Sequence, residues 1–150
     1  MTYEVEVKEV PEQHVAAIHV HASFDRIGEE VQHAFMTLGQ TVGPPIGMPF
    51  LVAEDVDEAH EVGDFEVCFP VSGDVPPSRV VDEMQMPGAR VAATIHRGPY
   101  REIGPAYAAL ETWIGQHGEH RAGPPRELYL NDPGEAGEEA ALTEVQMPIR

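Results

Sequence analysis

Two stretches of the chain can be laid over each other, and that likeness restricts the fold more than any other feature of the sequence. Residues 15–40 (VAAIHVHASFDRIGEEVQHAFMTLGQ) match residues 91–116 (VAATIHRGPYREIGPAYAALETWIGQ). Val15/Val91, Ala16/Ala92, Ala17/Ala93, Ile27/Ile103, Gly28/Gly104, Gly39/Gly115 and Gln40/Gln116 are identical, and Phe24/Tyr100 is a conservative pair. Gly43-Pro44-Pro45 then answers Gly123-Pro124-Pro125, and residues 65–71 answer residues 143–149. Three blocks in the same order make two copies of one unit.

Each copy reads strand, helix, strand, strand. Residues 15–20 and 91–96 are β-branched and alanine-rich runs that end at the turn signals Ala22-Ser23 and Gly98-Pro99. In the second copy Ile103, Tyr107, Leu110 and Ile114 recur at helical spacing. Pro105 fits only a first turn, so this helix begins near Gly104 and stops at Gly118. Ile27, Val31, Ala34, Phe35 and Leu38 make the same stripe in the first copy, ending at Gly39. The last strand alternates in both: Phe65, Val67, Phe69, Val71, and Thr143, Val145, Met147, Ile149. Tyr3, Val5 and Val7 predict a further N-terminal strand. The expected class is α+β, one antiparallel sheet with helices segregated to one face. Module one is placed at about 1–72, a linker at about 73–88 and module two at about 89–150, in a single domain covering 1–150.

Charge and composition exclude several functions. The 26 acidic against 9 basic side chains give a net charge of −17, and the cations are scattered, so no basic stripe exists for a phosphate backbone and nucleic acid is not an expected partner. No apolar run approaches the roughly 20 residues of a membrane span. The opening MTYEVEVKEV alternates acidic and apolar residues, unlike a signal peptide, which predicts a cytoplasmic protein. Cys68 is the single cysteine; it excludes an internal disulfide or a cysteine zinc cage, and its apolar strand offers no thiolate activation. His19/His21 and His117/His120 are paired but lack a third ligand nearby in sequence, so no metal is expected. Glycine-rich phosphate loops and serine elbows are absent from the sequence, and no cofactor is expected.

Strand periodicity then selects candidate site residues. In residues 126–130, Leu128 and Leu130 are expected on the helix side, so Glu127 and Tyr129 point to the opposite face. The matching positions of the first copy are Gly47 and Pro49, so one copy supplies a carboxylate and a phenol where the other leaves space. A pocket between the modules is the expected result. Thr94 and His96 on strand 91–96, Glu144 and Gln146 on the last strand, and Tyr100 past the Gly98-Pro99 turn are its expected neighbours. Tyr107 and Trp113 sit at helical spacing, which suits a core position; Trp113 lies off the main stripe and suits a pocket edge. A groove of carboxylates, aromatic rings and an imidazole suits planar or cationic organic ligands.

His96-Arg97-Gly98-Pro99-Tyr100, the Tyr107, Leu110 and Trp113 spacing, residues 125–133 (PRELYLNDP) and residues 143–149 (TEVQMPI) together resemble the GyrI-like small-molecule-binding family. Val10-Pro11-Glu12-Gln13-His14-Val15-Ala16 resembles the first strand of that family as well. The resemblance implies two pseudo-symmetric modules with helices on the convex face of a curved sheet and a ligand groove on the concave face. It also implies that a central glutamate, here Glu127, faces bound lipophilic and often cationic compounds, with aromatic residues around it. Three functions follow as expectations. The leading one is capture of an amphipathic organic molecule by Glu127, with Tyr100, Tyr129, Tyr107, Trp113, His96 and Glu144 around it. The second is hydrolysis of a strained cyclopropane-type genotoxin, with Glu127 as general base and Tyr100 or His96 as proton donor. The third is a protein-interaction role, such as modulation of gyrase.

Overall fold

A computed structural model describes residues 2–150. In chain order the elements are β1 (Glu6–Val10), β2 (Gln13–Ser23), α1 (Ile27–Val42), β3 (Phe50–Asp57), β4 (Val62–Pro70), β5 (Asp82–Met86), β6 (Ala89–Arg97), α2 (Gly104–Gln116), β7 (Arg126–Tyr129) and β8 (Leu142–Pro148). The class is α+β, as the repeat predicts. Two compact units divide the chain, one of residues 12–87 and one of residues 1–11 with 88–150.

The 12–87 unit orders its strands β3-β4-β2-β5, all neighbours antiparallel. Helix α1 packs on one face of this sheet through Ile27, Val31, Ala34 and Leu38, and Phe35 meets Phe69 of β4 with ring centroids 5.5 Å apart. The helix runs past Gly39, where the sequence pattern ends it, because the left-handed residue that closes it is Gly43 at φ 79°. Its N–H bonds back to the Gly39 carbonyl at 3.0 Å. Strand β5 lies inside the segment expected to be a linker; Met84 and Met86 pair with Val15 and Gln13 of β2.

The other unit orders its strands β1-β6-β8-β7, again antiparallel. Its core is Ala92, Ala106, Leu110, Ile114, Val145, Met147 and Ile149, so α2 covers the face of the sheet that carries Ala92, Val145 and Met147. Pro105 occupies the first turn of α2, where its missing N–H has no intrahelical partner to lose. The N-terminal strand begins at Glu6, later than its apolar pattern suggests. Tyr3 and Val5 instead pack on the α2 core, and the Thr94 hydroxyl donates to the Glu4 carbonyl at 2.6 Å. Among the described residues no helix is long and apolar enough to cross a membrane.

Candidate functional site

Residues directly opposite in an antiparallel pair share a face of the sheet. Glu127 lies opposite Val145 and Tyr129 opposite Thr143. Val145 belongs to the core under α2, so Glu127 and Tyr129 face the helix. This reverses the sequence expectation, which put the two leucines on the helix side. The physical reason is that β7 lacks a wet face at its start. Arg126 and Glu127 are both buried, so polarity does not reveal which direction is inward. The same register places Thr94 and His96 of β6, opposite Val145 and Thr143 of β8, on the helix side as well.

The carboxylate of Glu127 is 4% exposed and accepts a hydrogen bond on each oxygen. Tyr100, in the short 3-10 turn that precedes α2, donates to Oε1 at 2.5 Å, and Tyr107, in the first turns of α2, donates to Oε2. Gly98 permits this approach, because its φ of 123° is a conformation that side chains resist. Among the described residues Glu127 makes no ion pair. Burial pushes its carboxyl above the ordinary value of 4.5, while the two phenol donors pull the other way. The tyrosines respond in kind: burial first, then the nearby carboxylate, drives the Tyr100, Tyr107 and Tyr129 hydroxyls far up, and all three remain neutral.

The remaining expected site residues lie elsewhere. His96 is buried, with Nε2 at 3.0 Å from the Pro99 carbonyl and Nδ1 at 3.0 Å from the Tyr3 hydroxyl. A carbonyl only accepts, which puts the ring proton on Nε2 and makes Nδ1 the acceptor for Tyr3. His96 therefore braces the backbone next to Tyr100, and Tyr3, which the sequence marked only as a strand residue, is its partner. Glu144 lies opposite Leu128, on the face away from α2; it takes Lys8 at 2.8 Å and Gln146 Nε2 at 2.7 Å. It is an ion-paired residue separate from the Glu127 cluster. Trp113 stacks on His117 with centroids 4.1 Å apart at the far end of α2. No set of three histidine, cysteine or acidic side chains is arranged to hold a metal ion among the described residues. Two open depressions lie within residues 12–87, one beside His19, His21 and His33, the other beside Pro44, Ile46 and Asp74; Glu127 lines neither.

The register also identifies the counterpart of Glu127 in the first copy. Leu51 lies opposite Val67, the residue that matches Val145, so the counterpart is Leu51, at 0% exposure, and not Gly47. The expected pairing slipped because residues 46–49 separate the Gly-Pro-Pro turn from β3, whereas β7 follows its Gly-Pro-Pro at once. Ala53 answers Tyr129 by the same register, and the sequence match pairs Val31 with Tyr107 and Phe24 with Tyr100. One scaffold position set is wholly apolar in one unit and holds a carboxyl and three phenols in the other.

A GyrI-like small molecule binding domain model matches residues 3–150. The chain belongs to this family. Solved structures agree on the fold. The EcmrR C-terminal domain superposes with a TM-score of 0.84 at 22% identity, covering 100% of this chain and 99% of that one. In the EcmrR–DNA complex the match has a TM-score of 0.86 at 21% identity and covers 99% of this chain but 57% of EcmrR. The GyrI-like domain thus spans little more than half the length of that DNA-bound protein. A hydrolase from Listeria innocua matches with a TM-score of 0.70 at 18% identity, over 98% of this chain and 92% of its own. SAV2435 bound to tetraphenylphosphonium matches with a TM-score of 0.65 at 16% identity, over 100% and 94%. No curated protein sequence matches the chain.

Proposed function

We propose that this GyrI-like domain binds lipophilic cations, with Glu127 as counter-charge and Tyr100, Tyr107 and Tyr129 as the surrounding rings. The observation that carries this reading is a buried carboxyl with no cation beside it, at a position where the sister unit has Leu51. An uncompensated buried charge is expensive, and a leucine there is known from the twin to be compatible with the scaffold. Something other than stability therefore accounts for the glutamate. Phenol rings suit the same ligand class, since their faces attract diffuse positive charge. SAV2435, which shares the fold, is bound to tetraphenylphosphonium, a cation wrapped in four phenyl groups. Because Glu127 is buried, such a ligand reaches it only as Tyr100 or Tyr107 gives way.

Titration calorimetry with tetraphenylphosphonium and with neutral triphenylphosphine oxide tests the reading. Glu127→Gln should weaken the cation far more than the neutral compound; equal loss for both would sink the counter-ion role. A second reading has one observation in its favour. A carboxyl with raised proton affinity, in hydrogen-bond contact with two phenols, has the parts of a general base with proton donors beside it. Incubation with a cyclopropane-bearing alkylating agent separates the two: product formation demands catalysis, and protection without product means sequestration.

A further inference from the structure

Which charge balances Glu127 before any ligand arrives is answered by counting hydrogen bonds. The groups that face the carboxyl come from every element around it. They are Tyr100 from the 3-10 turn, Tyr107 from α2 and Tyr129 from its own strand, with Val145 and Thr143 from β8; His96 of β6 shares this face of the sheet, with its ring engaged by the Pro99 carbonyl and the Tyr3 hydroxyl. None of these is a cation. Arg121 exerts an electrostatic pull on Tyr107 but forms its ion pair with Glu111, at 3.5 Å. Lys8 is engaged with Glu144 and Glu6 on the face away from α2.

A hydroxyl both donates and accepts, so the phenols suit two states of the carboxyl. When Glu127 is ionised, Tyr100 and Tyr107 donate one hydrogen bond to each oxygen. When it is protonated, its new O–H donates to the oxygen of one phenol after that hydroxyl rotates. The cluster thus holds either a negative charge or a proton without a change of backbone. Resting on the reading of Glu127 as counter-charge, we propose that ligand binding is an exchange, in which the arriving cation displaces one proton from the Glu127 carboxyl to solvent. The balance is simple: neutral carboxyl plus cation gives a carboxylate–cation pair plus one released proton. Burial with no cation among the facing groups favours the neutral form, and the two phenol donors oppose it, so the exchange operates on the acid side of the carboxyl titration.

The consequence is a cargo affinity that acidification lowers. On the acid side of the carboxyl titration, the affinity for a permanent cation falls about tenfold per pH unit, the slope of one linked proton. Calorimetry with tetraphenylphosphonium from pH 4 to 8, in pairs of buffers with different ionisation heats, reads the effect directly. The expected result is release approaching one proton per cation at low pH and declining as pH rises, with no release when triphenylphosphine oxide binds. Tyr100→Phe removes a donor that favours the ionised form, so the pH at which affinity begins to fall should move upward. Glu127→Gln should abolish proton release. Cation binding by the wild-type protein with constant affinity and no buffer-dependent heat would overturn the exchange and leave the binding reading intact. Absence of cation binding at every pH would overturn both.

Discussion

The two units of this protein are the same scaffold with opposite contents. Beneath α1, residues 12–87 put Leu51, Ala53 and Val31 at positions that the other unit fills with Glu127, Tyr129 and Tyr107 beneath α2. The first is an ordinary apolar core, with Leu51, Val67 and Leu38 fully buried. The second gives up part of that burial to enclose a polar cluster. Because the strand pairing at these positions is alike in both, the difference there lies in the side chains. The apolar unit is an internal control for what the polar one sacrifices and gains.

The sharpest way to break the comparison is to move the carboxyl across. Leu51→Glu puts an acid beneath α1 without phenols to meet it, and should lower stability by about 3–5 kcal/mol at neutral pH, read by urea unfolding. The reverse change, Glu127→Leu, should abolish tetraphenylphosphonium binding and, once Tyr100→Phe and Tyr107→Phe remove the phenol hydroxyls it would strand, stabilise the fold by about 1–4 kcal/mol. Its pH dependence has a definite sign. Glu127 holds its proton more firmly when folded than the ordinary 4.5, so wild-type stability is fully present below that value and declines as pH rises through the folded one. The advantage of Glu127→Leu should therefore grow with pH above 4.5 and fade below it.

Tyr107→Phe probes the phenols alone. It removes one hydrogen bond to a buried acid and should cost about 1–3 kcal/mol in unfolding experiments, with the loss largest where Glu127 is ionised. The smallest effect belongs to the exposed face of the apolar unit. There His19 meets Glu66 at 3.1 Å and Asp64 at 3.0 Å; Glu66 does most to lift its imidazole above 6.5, burial opposes it, and Asp64 adds to the rise. Its stabilisation is complete below 6.5 and is lost as pH rises through the folded value. His19→Ala should lower the melting temperature slightly at pH 5.5 and not at pH 8.5, the modest scale being set by solvent screening.

The repeat made the architecture legible, because identical residues at both helix starts and matching alternation on both last strands survive as pattern. Facing was harder to read. Leu128 and Leu130 look like the inward residues of β7 only if one face is dry and the other wet, and Arg126 and Glu127 are both buried. The partner strand decides the matter, through Val145, and sequence does not show partner strands. The members of the candidate cluster could be picked from sequence, and their assembly could not. Glu127, Tyr100, Tyr107 and Tyr129 form one cluster, whereas Glu144 went to Lys8, Trp113 to His117 and His96 to Tyr3 and Pro99. Tyr3 read only as a strand residue, since its partner His96 lies far along the chain.

Strand β1 pairs with β6, its register running from Glu6 opposite Ala93 to Val10 opposite Ala89. A polypeptide leaving the ribosome therefore carries every residue of the apolar unit before β6 exists to receive its earliest strand. The region that encloses the carboxyl waits for the last strand to be made, while its twin has all its parts already. Translation order thus lets the apolar half be completed before the half that encloses the carboxyl is even whole.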